Sequence, residues 1–389
     1  MVPNGWSIQK LEQIATVERG KFSARPRNDP KYFGGNIPFV QTGDIAAAKT
    51  YLQNYTQTLN EDGLKVSRLF PKNTILITIA ANIGDTAITS FDVACPDSLV
   101  AIRTHKDTDC FWLKLYLETC KDELDGKATQ NAQKNINLQV LKPLEVLTPP
   151  LPEQRKIAKI LSTWDKAIAT TEKLINASKQ QKKALMQQLL TGKKRLVDPD
   201  TGKVFEGDWK KVELGKLLDY KQPTPYLVKS TEYSDEYPTP VLTAGKTFIL
   251  GYSNEDFGIF SEELPVIIFD DFTTASKFVN FPFKAKSSAM KILIAKDGVS
   301  IKYVYEAMQV LNYPVGGHQR HWISIFANLV IELPEPEEQQ KIASVLTAAD
   351  KEIELLQAKL AHLKDEKKAL MQQLLTGKRR VKVDENVAA

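Results

Sequence analysis

The chain has 389 residues and carries 52 Lys and Arg against 47 Asp and Glu, which gives a net charge of +5. This length predicts at least two domains, because a single hydrophobic core seldom grows beyond about 300 residues. Its residues are 42% hydrophobic and 25% charged, a composition typical of globular proteins. The sequence contains no apolar run of roughly 20 residues that could span a membrane, and it contains no signal peptide. Its three cysteines lack the CxxC spacing of a zinc site, which indicates free thiols in a reducing compartment and predicts a cytoplasmic protein without a membrane partner.

The charge is distributed unevenly along the chain. The net charge is +1 for residues 1–150, +8 for 151–195, −6 for 196–337, +3 for 338–380 and −1 for 381–389. The total is too small to indicate nucleic-acid binding by itself, so any DNA contact must come from local basic patches.

Residues 1–150 are predicted to form a first globular domain of mixed α/β type. Short β-rich runs such as TILITIA (Thr74–Ala80) lie between Gly, Pro, Asn and Asp turns, and a short helix is expected near Phe111–Cys120. A basic segment with Pro and Gly, ERGKFSARPRNDPK, suits phosphate contacts, and the alternative is a solvated charged loop. Its candidate DNA-binding residues are Arg19, Lys21, Arg25, Arg27 and Lys31.

A second candidate DNA contact in this domain is the turn QTGDI, which comprises Gln41, Thr42, Gly43 and Asp44. Glutamine can bind adenine through two hydrogen bonds, and aspartate can accept one from cytosine N4. The alternative is a plain tight turn.

A long helix is predicted for residues 151–195, and its sequence returns 185 positions later. KKALMQQLLTG occurs at Lys182–Gly192 and at Lys367–Gly377, and 23 of the 43 positions from Glu153 to Arg195 are identical in the second copy. Apolar residues in the first copy recur at spacings of three and four, the signature of a coiled-coil seam. The predicted seam residues are Ile157, Leu161, Trp164, Ile168, Ile175, Leu185 and Leu189.

Residues 196–335 are predicted to form a second mixed α/β domain, with a strand near Pro265–Phe272 and a helix near Ile301–Leu311. Because this part of the chain is acidic overall, its few cations would have to face DNA together. The alternative for each candidate residue named below is a structural or solvated role. The candidate DNA-binding residues are Thr243, Gly245, Lys246, Thr273, Thr274, Lys277, Arg320 and His321. The pairs His318/His321 and Asp270/Asp271 are weak metal candidates because their spacing and surroundings lack further ligands, so no metal site is predicted.

The second long helix is predicted for residues 336–380, followed by a short tail, 381–389. Its seam residues are Ile342, Leu346, Ala349, Ile353, Leu356, Leu360, Leu363, Leu370 and Leu374. Each helix of about 38 residues would be roughly 57 Å long. The two helices are expected to pack antiparallel, so that two similar domains are separated by a rod with a pseudo-twofold axis. Two heads at a fixed separation suit a long, approximately twofold ligand such as duplex DNA.

Both copies therefore have the order domain, then helix, and specific motifs accompany it. PPLPEQRKIAKIL and PEPEEQQKIASVL open the helices, LMQQLLTGK closes both, and the first domain carries IPFVQTGDI, NIGDTAI and QKNINLQVLKPLEV. This arrangement resembles the DNA-specificity subunits of type I restriction–modification systems over essentially the whole chain. The second domain departs most from the pattern, with VLTAGKT in place of FVQTGDI.

The resemblance implies a non-catalytic subunit in which each domain recognises one half of a split double-stranded DNA site. It also implies that the helices set the gap and bind two methyltransferase subunits, which methylate adenine with S-adenosylmethionine. Restriction subunits would join this core and bring ATP and Mg²⁺, so no cofactor is expected in this chain. The chain itself lacks the Gly-rich loop and Asn/Asp-Pro-Pro-aromatic motif of an adenine methyltransferase.

The repeated helix ends predict where the methyltransferase subunits bind. Identity that extends to the side of the helix away from the seam is difficult to explain by seam packing, but it is expected if the same partner binds both copies. The candidate docking residues are Lys183, Gln187 and Gln188 in the first copy and Lys368, Gln372 and Gln373 in the second.

Two other classes of function remain as alternatives. A self-sufficient DNA-binding repressor or scaffold could use the coiled coil only to separate two heads, and it would form no stable complex with a methyltransferase. A nuclease is disfavoured because Pro199–Asp200 has no Glu-x-Lys sequence close behind it.

Overall fold

The computed structural model describes residues 2–80, 82–128, 134–243, 247–311 and 321–383, with His321 and Ser324 described by their backbone alone. The chain forms two compact units. Unit 1 comprises Met1–Thr171 and Lys359–Ala389, and unit 2 comprises Glu172–Ala358. The division falls within both long helices rather than at the predicted domain boundaries, so each unit contains one head and part of each helix.

The first half of the chain contains eleven strands and seven α-helices within its described residues. The strands are β1 Ser7–Lys10, β2 Ala15–Arg19, β3 Phe33–Phe39, β4 Tyr51–Leu52, β5 Gln57–Leu59, β6 Leu69–Phe70, β7 Ile75–Thr78, β8 Thr86–Thr89, β9 Val93–Ala94, β10 Leu99–Thr104 and β11 Glu145–Thr148. The helices are α1 Leu11–Ile14, α2 Thr42–Ala47, α3 Glu61–Lys65, α4 Cys110–Thr119, α5 Lys121–Gly126, α6 Leu138–Leu141 and the long α7, Leu151–Leu189.

The second half repeats this plan with fewer elements among its described residues. The strands are β12 Lys210–Glu213, β13 Leu218–Lys221, β14 Thr239–Leu242, β15 Ile249–Ser253, β16 Val266–Asp270, β17 Ser276–Val279, β18 Lys284–Ala285, β19 Met290–Ala295 and β20 Val330–Leu333. The helices are α8 Leu214–Leu217, α9 Ile301–Val310, α10 His321–Ser324 and the long α11, Pro336–Leu374.

The head of unit 1 is built on three sheets. The orders are β1-β11, β2-β10-β7-β8-β4 and β5-β3-β9-β6, in which β3 pairs with β9 and β4 with β8 in parallel and the other pairs are antiparallel. Strands β7 and β8 are buried at every residue, as expected for continuous apolar and Thr-rich runs that are covered on both faces. The fold is mixed α/β, as the sequence predicts.

The head of unit 2 has the same plan. Its sheets are β12-β20, β13-β19-β16-β17 and β15-β14-β18, with β14 parallel to β18. Each of these sheets has a counterpart in unit 1, and the sheet β15-β14-β18, like β5-β3-β9-β6, contains one parallel pair. The segments NGWSIQKLEQI (Asn4–Ile14) and GDWKKVELGKL (Gly207–Leu217) are weakly similar in sequence, and they contain the equivalent elements β1-α1 and β12-α8.

The long helices are antiparallel within each unit, as predicted. In unit 1, Asp165 of α7 pairs with Lys367 of α11, and Glu153, earlier in α7, pairs with Arg380, beyond the end of α11. In unit 2, too, the residue that lies later in α7 pairs with the residue that lies earlier in α11. Each helix has 39 residues, close to the predicted length.

The glycine of the repeated Thr-Gly sequence ends each helix. Gly192 and Gly377 have φ angles of +66° and +69°, a left-handed conformation that glycine adopts without a side-chain penalty. Two residues later, Lys194 N donates to Gln188 O at 3.1 Å, and Arg379 N donates to Gln373 O at the same distance. Each bond starts one residue beyond the donor of the usual glycine C-cap bond, and it closes the turn that follows the helix.

The repeated helix ends pack into the heads. Leu374 and Leu375 belong to the core of unit 1 together with Ile157 and Leu161. Met186, Leu189 and Leu190 belong to the core of unit 2, where Leu185 packs against them. The leucines predicted for the helix seam at these ends therefore pack on the adjoining head as well as on the facing helix. Part of the repetition is therefore explained by packing on two similar heads.

Candidate nucleic-acid interface

The basic segment of unit 1 alternates between inward and outward side chains. Phe22 and Ala24 are buried in a small aromatic cluster, whereas Lys21 and Arg25 are exposed. Alternation with a period of two is the geometry of an extended chain. It places the cationic side chains on the solvent side.

Backbone hydrogen bonds hold this segment against the rest of the head. Lys21 N donates to Cys95 O at 2.9 Å, and Ser23 N donates to Val66 O at 2.9 Å. The segment is thus anchored on both sides, which distinguishes it from a freely solvated loop. Its cations are held in fixed positions along one edge of the head.

Asp97 positions two of the predicted arginines. Arg27 donates to both carboxylate oxygens of Asp97, at 3.0 and 2.9 Å, and Arg19 Nε donates to its backbone oxygen at 2.6 Å. Burial alone would raise the pKa of Asp97, but the hydrogen bond from Arg27 and the charges of both arginines outweigh it and lower the pKa. The carboxylate therefore stays ionised beside the guanidinium groups.

The remaining cations of the segment have local contacts. Arg25 Nη1 donates to Ala24 O at 2.7 Å. Lys31 lies 3.3 Å from Asp29 and 4.9 Å from the centre of the Tyr32 ring. Lys31 thus has an acidic partner, whereas the partner of Arg25 is an uncharged backbone oxygen.

Two further arginines lie beside this segment, and neither was predicted from the sequence. Arg68 Nη1 binds Glu18 Oε1 at 3.0 Å, and Arg103 Nη2 binds Glu18 Oε2 at 2.5 Å. They are 50 and 85 residues from Glu18 along the chain. No motif surrounds either arginine, and only the pairing of β2 with β10 could have indicated that Arg103 lies near Glu18.

The turn QTGDI has a largely structural role. Asp44 is buried, and its Oδ2 accepts hydrogen bonds from Gln41 N at 2.8 Å and Thr56 Oγ1 at 3.3 Å. Gln41 Nε2 donates to Gln57 Oε1 at 3.0 Å. The carboxylate of Asp44 thus holds the first turn of α2, and its contact with cytosine stays a prediction. Thr42 is half-buried and Gly43 is exposed, and for these two a DNA contact stays a prediction.

In unit 2, the turn between β16 and β17 is held by Asp270. The carboxylate of Asp270 accepts from Thr273 Oγ1 at 2.6 Å and Phe272 N at 3.0 Å. Thr274 is buried with a φ of +62°, which favours a structural role, the alternative to a DNA contact. Thr273 and Lys277 are exposed and stay candidates.

The other candidates of unit 2 are described incompletely or not at all. Thr243 Oγ1 donates to Thr247 O at 2.5 Å and is half-buried. Gly245, Lys246 and Arg320 lie outside the described residues, and His321 is described only as the first residue of α10. Their proposed DNA contacts stay predictions.

The predicted seam residues lie on the covered side of both helices. None of the sixteen is exposed, and seven are fully buried. Those seven are Ile157, Leu161, Ile175, Leu189, Ile342, Leu346 and Leu374. Leu174 and Leu355, which lie off the seam, have exposed fractions of 48% and 63%. The apolar stripe is therefore narrow.

The lysines at seam positions bind aspartates of the facing helix. Lys182 Nζ lies 2.6 Å from Asp350 Oδ1 in unit 2, and Lys367 Nζ lies 2.5 Å from Asp165 Oδ1 in unit 1. Lys302 of α9 adds a second bond to Asp350, at 2.8 Å. Burial would raise the pKa of Asp350, but the hydrogen bonds from Lys182 and Lys302 outweigh it and lower the pKa. Polar seam positions of this kind specify helix register.

An Arg–Glu–Trp cluster joins the end of α7 to the start of α11 in unit 2. Glu338 is 1% exposed, and Arg195 donates to both of its oxygens at 2.7 Å. Trp209 Nε1 donates to Glu338 at 3.1 Å, and Arg195 stacks over the Trp209 ring at 5.5 Å. Arg195 Nη1 also donates to Gly207 O at 2.9 Å. The bond to Glu338 raises the pKa of Arg195.

Unit 1 contains the equivalent cluster. Arg380 donates to both oxygens of Glu153 at 2.7 and 2.8 Å, and Trp6 Nε1 donates to Glu153 at 2.9 Å. Arg380 Nη1 donates to Asn4 O at 2.8 Å. The two clusters account for the glutamate of the repeated Glu-Gln motif, for the basic residues after each Thr-Gly, and for Trp6 and Trp209.

The glutamine of the Glu-Gln motif binds the head helix in both units. Gln154 accepts from Asp109 N at 2.8 Å and donates to Pro149 O at 2.9 Å. Gln339 accepts from Ser300 N at 2.9 Å. Asp109 and Ser300 are the N-caps of α4 and α9. The motif thus fixes each head on the start of the helix that follows it.

The candidate docking residues are exposed in both units. Lys183, Gln187 and Gln188 of α7 and Lys368, Gln372 and Gln373 of α11 all face solvent. The structure shows that they are accessible, and their contact with a partner stays a prediction.

The described residues contain no group of three or more His, Cys, Asp or Glu that could hold a metal ion. None of the described helices is long and apolar enough to cross a membrane. Burial raises the pKa of Cys95 and Cys110 to about 12 and that of Cys120 to about 11, so these free thiols are poor nucleophiles.

Both halves of the chain match one protein-family model. The type I restriction modification DNA specificity domain matches residues 3–180 and again residues 206–365. The chain belongs to this family. It therefore carries two specificity domains, one for each head and the helix that follows it.

Relatives in the specificity family match the chain to different extents. The EcoR124I/EcoR124II specificity subunit of Escherichia coli is 49% identical over 145 residues, which cover 36% of this chain and 35% of the relative. The putative MjaX specificity subunit of Methanocaldococcus jannaschii is 28% identical over 426 positions, which cover 98% and 95% of the two chains. The chain thus spans about a third of the first relative's length and nearly all of the second.

Solved structures of the specificity family share the fold. The S subunit of a type I system from M. genitalium aligns with a TM-score of 0.63 at 15% identity, covering 96% of this chain and 97% of its own. A chain from a structure that describes complex assembly and conformational transition of the type I system aligns with a TM-score of 0.56 at 14% identity, covering 96% and 98%. At such low identity the likeness shows the fold alone.

Proposed function

We propose that this chain selects the DNA target of a type I restriction–modification complex, with each head recognising one half of a split, asymmetric site. The observation that carries the proposal is the duplication of the specificity domain within one chain. The two heads have equivalent strand plans but differ in sequence, because QTGDI in the first head corresponds to TAGKT in the second. Two different half-sites follow from two different heads.

The long helices would serve as the spacer and as the binding surface for partners. Two methyltransferase subunits would bind one to each copy of the repeated helix end, and restriction subunits would join through them. Methylation of adenine would use S-adenosylmethionine held by the methyltransferases, and cleavage would use ATP and Mg²⁺ held by the restriction subunits. In this arrangement the chain contributes recognition without catalysis, and it acts in the cytoplasm, where the chromosome is accessible.

Sequencing of DNA methylation in the host, with and without this gene, tests the proposal. We expect deletion to remove methylation from one motif that consists of two short, unequal halves and a gap of unspecified bases. Expression of the intact gene should restore it. A continuous or palindromic motif would contradict the assignment of one half-site to each head, and an unchanged methylome in a host that expresses the gene would contradict the function itself.

Charge reversal on the docking surface should reduce the number of bound methyltransferases. Lys183→Glu should weaken the site on α7 alone and shift the complex from two methyltransferases towards one, and Lys183→Glu with Lys368→Glu should weaken both sites. Both lysines are exposed, so the fold should lose less than about 0.5 kcal/mol. Native mass spectrometry of the reconstituted complex measures the stoichiometry.

The matched control for this experiment is Lys173→Glu, which changes the same charge on an exposed position of α7 outside the repeated end. It should leave the two-to-one complex intact. Full assembly by the double variant would show that these lysines lie outside the interface, and a reduced melting temperature would show that they stabilise the helices instead.

A further inference from the structure

Six cations and two carboxylates of unit 1 lie in the basic segment or are bound beside it, and they are here called the arginine group. Its members are Arg19, Lys21, Arg25, Arg27, Arg68 and Arg103, with Glu18 and Asp97. Glu18 precedes Arg19 in β2 and binds Arg68 and Arg103, while Asp97 binds Arg19 and Arg27. Ser67 Oγ donates to Lys21 O at 2.7 Å, which joins the Arg68 side of the group to the basic segment.

We propose that Arg68 and Arg103, held by Glu18, bind phosphates of duplex DNA and extend the basic segment into one phosphate-binding surface. The inference rests on the proposed function, because it takes DNA as the ligand of this head. It adds two residues that no motif indicates, and it assigns Glu18 the role of positioning them.

The charge of the group favours a polyanionic ligand. Six cations against two carboxylates give +4, whereas residues 1–150 as a whole have a net charge of +1. The rest of that segment is therefore at −3. The positive charge of this part of the chain is thus concentrated around the anchored basic segment. Duplex DNA is a suitable ligand because it carries one negative charge per about 1.7 Å of its axis.

Stabilisation of the fold does not account for the arrangement around Glu18. The side chains of Arg68 and Arg103 are 46% and 44% exposed, and that of Glu18 is 30% exposed. Ion pairs this exposed typically contribute under about 1 kcal/mol. One carboxylate cannot neutralise two guanidinium groups, so the trio retains a net charge of +1 at the surface.

The same contacts suit phosphate binding. Each arginine binds Glu18 through one terminal nitrogen, and a guanidinium has five N–H donors in a rigid fork that matches phosphate geometry. The carboxylate restricts both long side chains before DNA arrives, which reduces the conformational entropy lost on binding. The contacts would be to the DNA backbone and hence independent of sequence.

The test measures how salt affects binding of the full-length chain to a random-sequence duplex, by fluorescence anisotropy. The logarithm of the binding constant falls with the logarithm of salt concentration with a slope of about −0.9 per phosphate contact. Arg68→Gln with Arg103→Gln should reduce the steepness by about 1.8, and affinity at 0.1 M salt should fall by up to roughly 60-fold. Each single substitution should remove about half of that steepness.

The matched control is Lys127→Gln with Lys134→Gln, which changes the net charge of the same head by the same amount. Lys127 and Lys134 are exposed and ion-paired, with Glu123 and Asp125, and they lie outside the arginine group. The control should retain the wild-type slope.

A wild-type slope for the double arginine variant would overturn the proposal, as would an equal loss in the lysine control, which would show that only net charge matters. If the double variant is unfolded in a melting experiment, the single variants decide between these outcomes. Wild-type protein that binds no duplex at any salt concentration would instead contradict the proposed function.

Discussion

Replacement of Arg195 by alanine should lower the free energy of unfolding of unit 2 by roughly 3–5 kcal/mol, the cost of leaving a buried charge without its partner. Glu338 is 1% exposed, and Arg195, whose side chain is 22% exposed, binds both of its oxygens. Loss of the guanidinium leaves the carboxylate with the Trp209 N–H alone among the partners described above. Hydrogen exchange followed by mass spectrometry measures the effect on unit 2 separately from unit 1.

The equivalent substitution in unit 1, Arg380→Ala, should have a smaller effect, because the Arg380 side chain is 43% exposed and its ion pair is better solvated. Its effect should still appear in the first head, although Arg380 is close to the other end of the sequence. Arg379→Ala is the matched control, since Arg379 is exposed, and it should cost less than about 0.5 kcal/mol.

A double substitution distinguishes the loss of a contact from the burial of an unpaired charge. Arg195→Met with Glu338→Leu removes both charges and should recover most of the stability lost in Arg195→Ala, because apolar pairs often replace buried ion pairs at little cost. If Arg195→Ala is as stable as Arg379→Ala, the cluster does not stabilise unit 2. If the double variant is less stable than the single one, the geometry of the ion pair itself stabilises the unit.

The long helices could be predicted from the sequence because their signal is local and appears twice. Spacings of three and four, proline at the start and glycine at the end depend on neighbouring residues only. The repeat then indicated which features belong to the scaffold. Antiparallel packing followed from the connection between the helices, and Asp165 with Lys367 and Asp350 with Lys182 show the predicted direction.

The contacts that join helices to heads could not be predicted in this way. Glu153 is 227 residues from Arg380, and Glu338 is 143 residues from Arg195. The sequence shows that these residues repeat, but their partners depend on how the chain folds back. One of the basic residues after each glycine, Arg195 or Arg380, is such an ion-pair partner.

The candidate site was predictable to the extent that charge was clustered in sequence. The basic segment was found because its cations are close neighbours, while Arg68 and Arg103 were missed because each is isolated. The burial of Asp44 and Thr274 could not be predicted, because polar residues in a turn can face either solvent or their own backbone, and local sequence does not distinguish the two.

Exchange of residues 1–150 for the first head of another family member should change one half of the DNA target and leave the other half and the gap unchanged. The reason is that the second head, α7 and α11 are untouched by the exchange. The measurement is again the methylome of a host that carries only the hybrid gene. A change in both halves would show that the heads do not recognise DNA independently.

The structure specifies what the exchanged head must retain. Its N-terminal residues meet the end of α11 within unit 1, where Gly377 packs against Pro3 and where Arg380 binds Asn4 O and stacks on Trp6. A donor head with tryptophan at the position of Trp6 should therefore fold on the resident helices. The same hybrid with that tryptophan replaced by alanine is the matched control: it should keep the new half-site but show faster hydrogen exchange in unit 1. A control that lost the new half-site while folding normally would place this tryptophan in DNA recognition rather than in the Arg–Glu–Trp cluster.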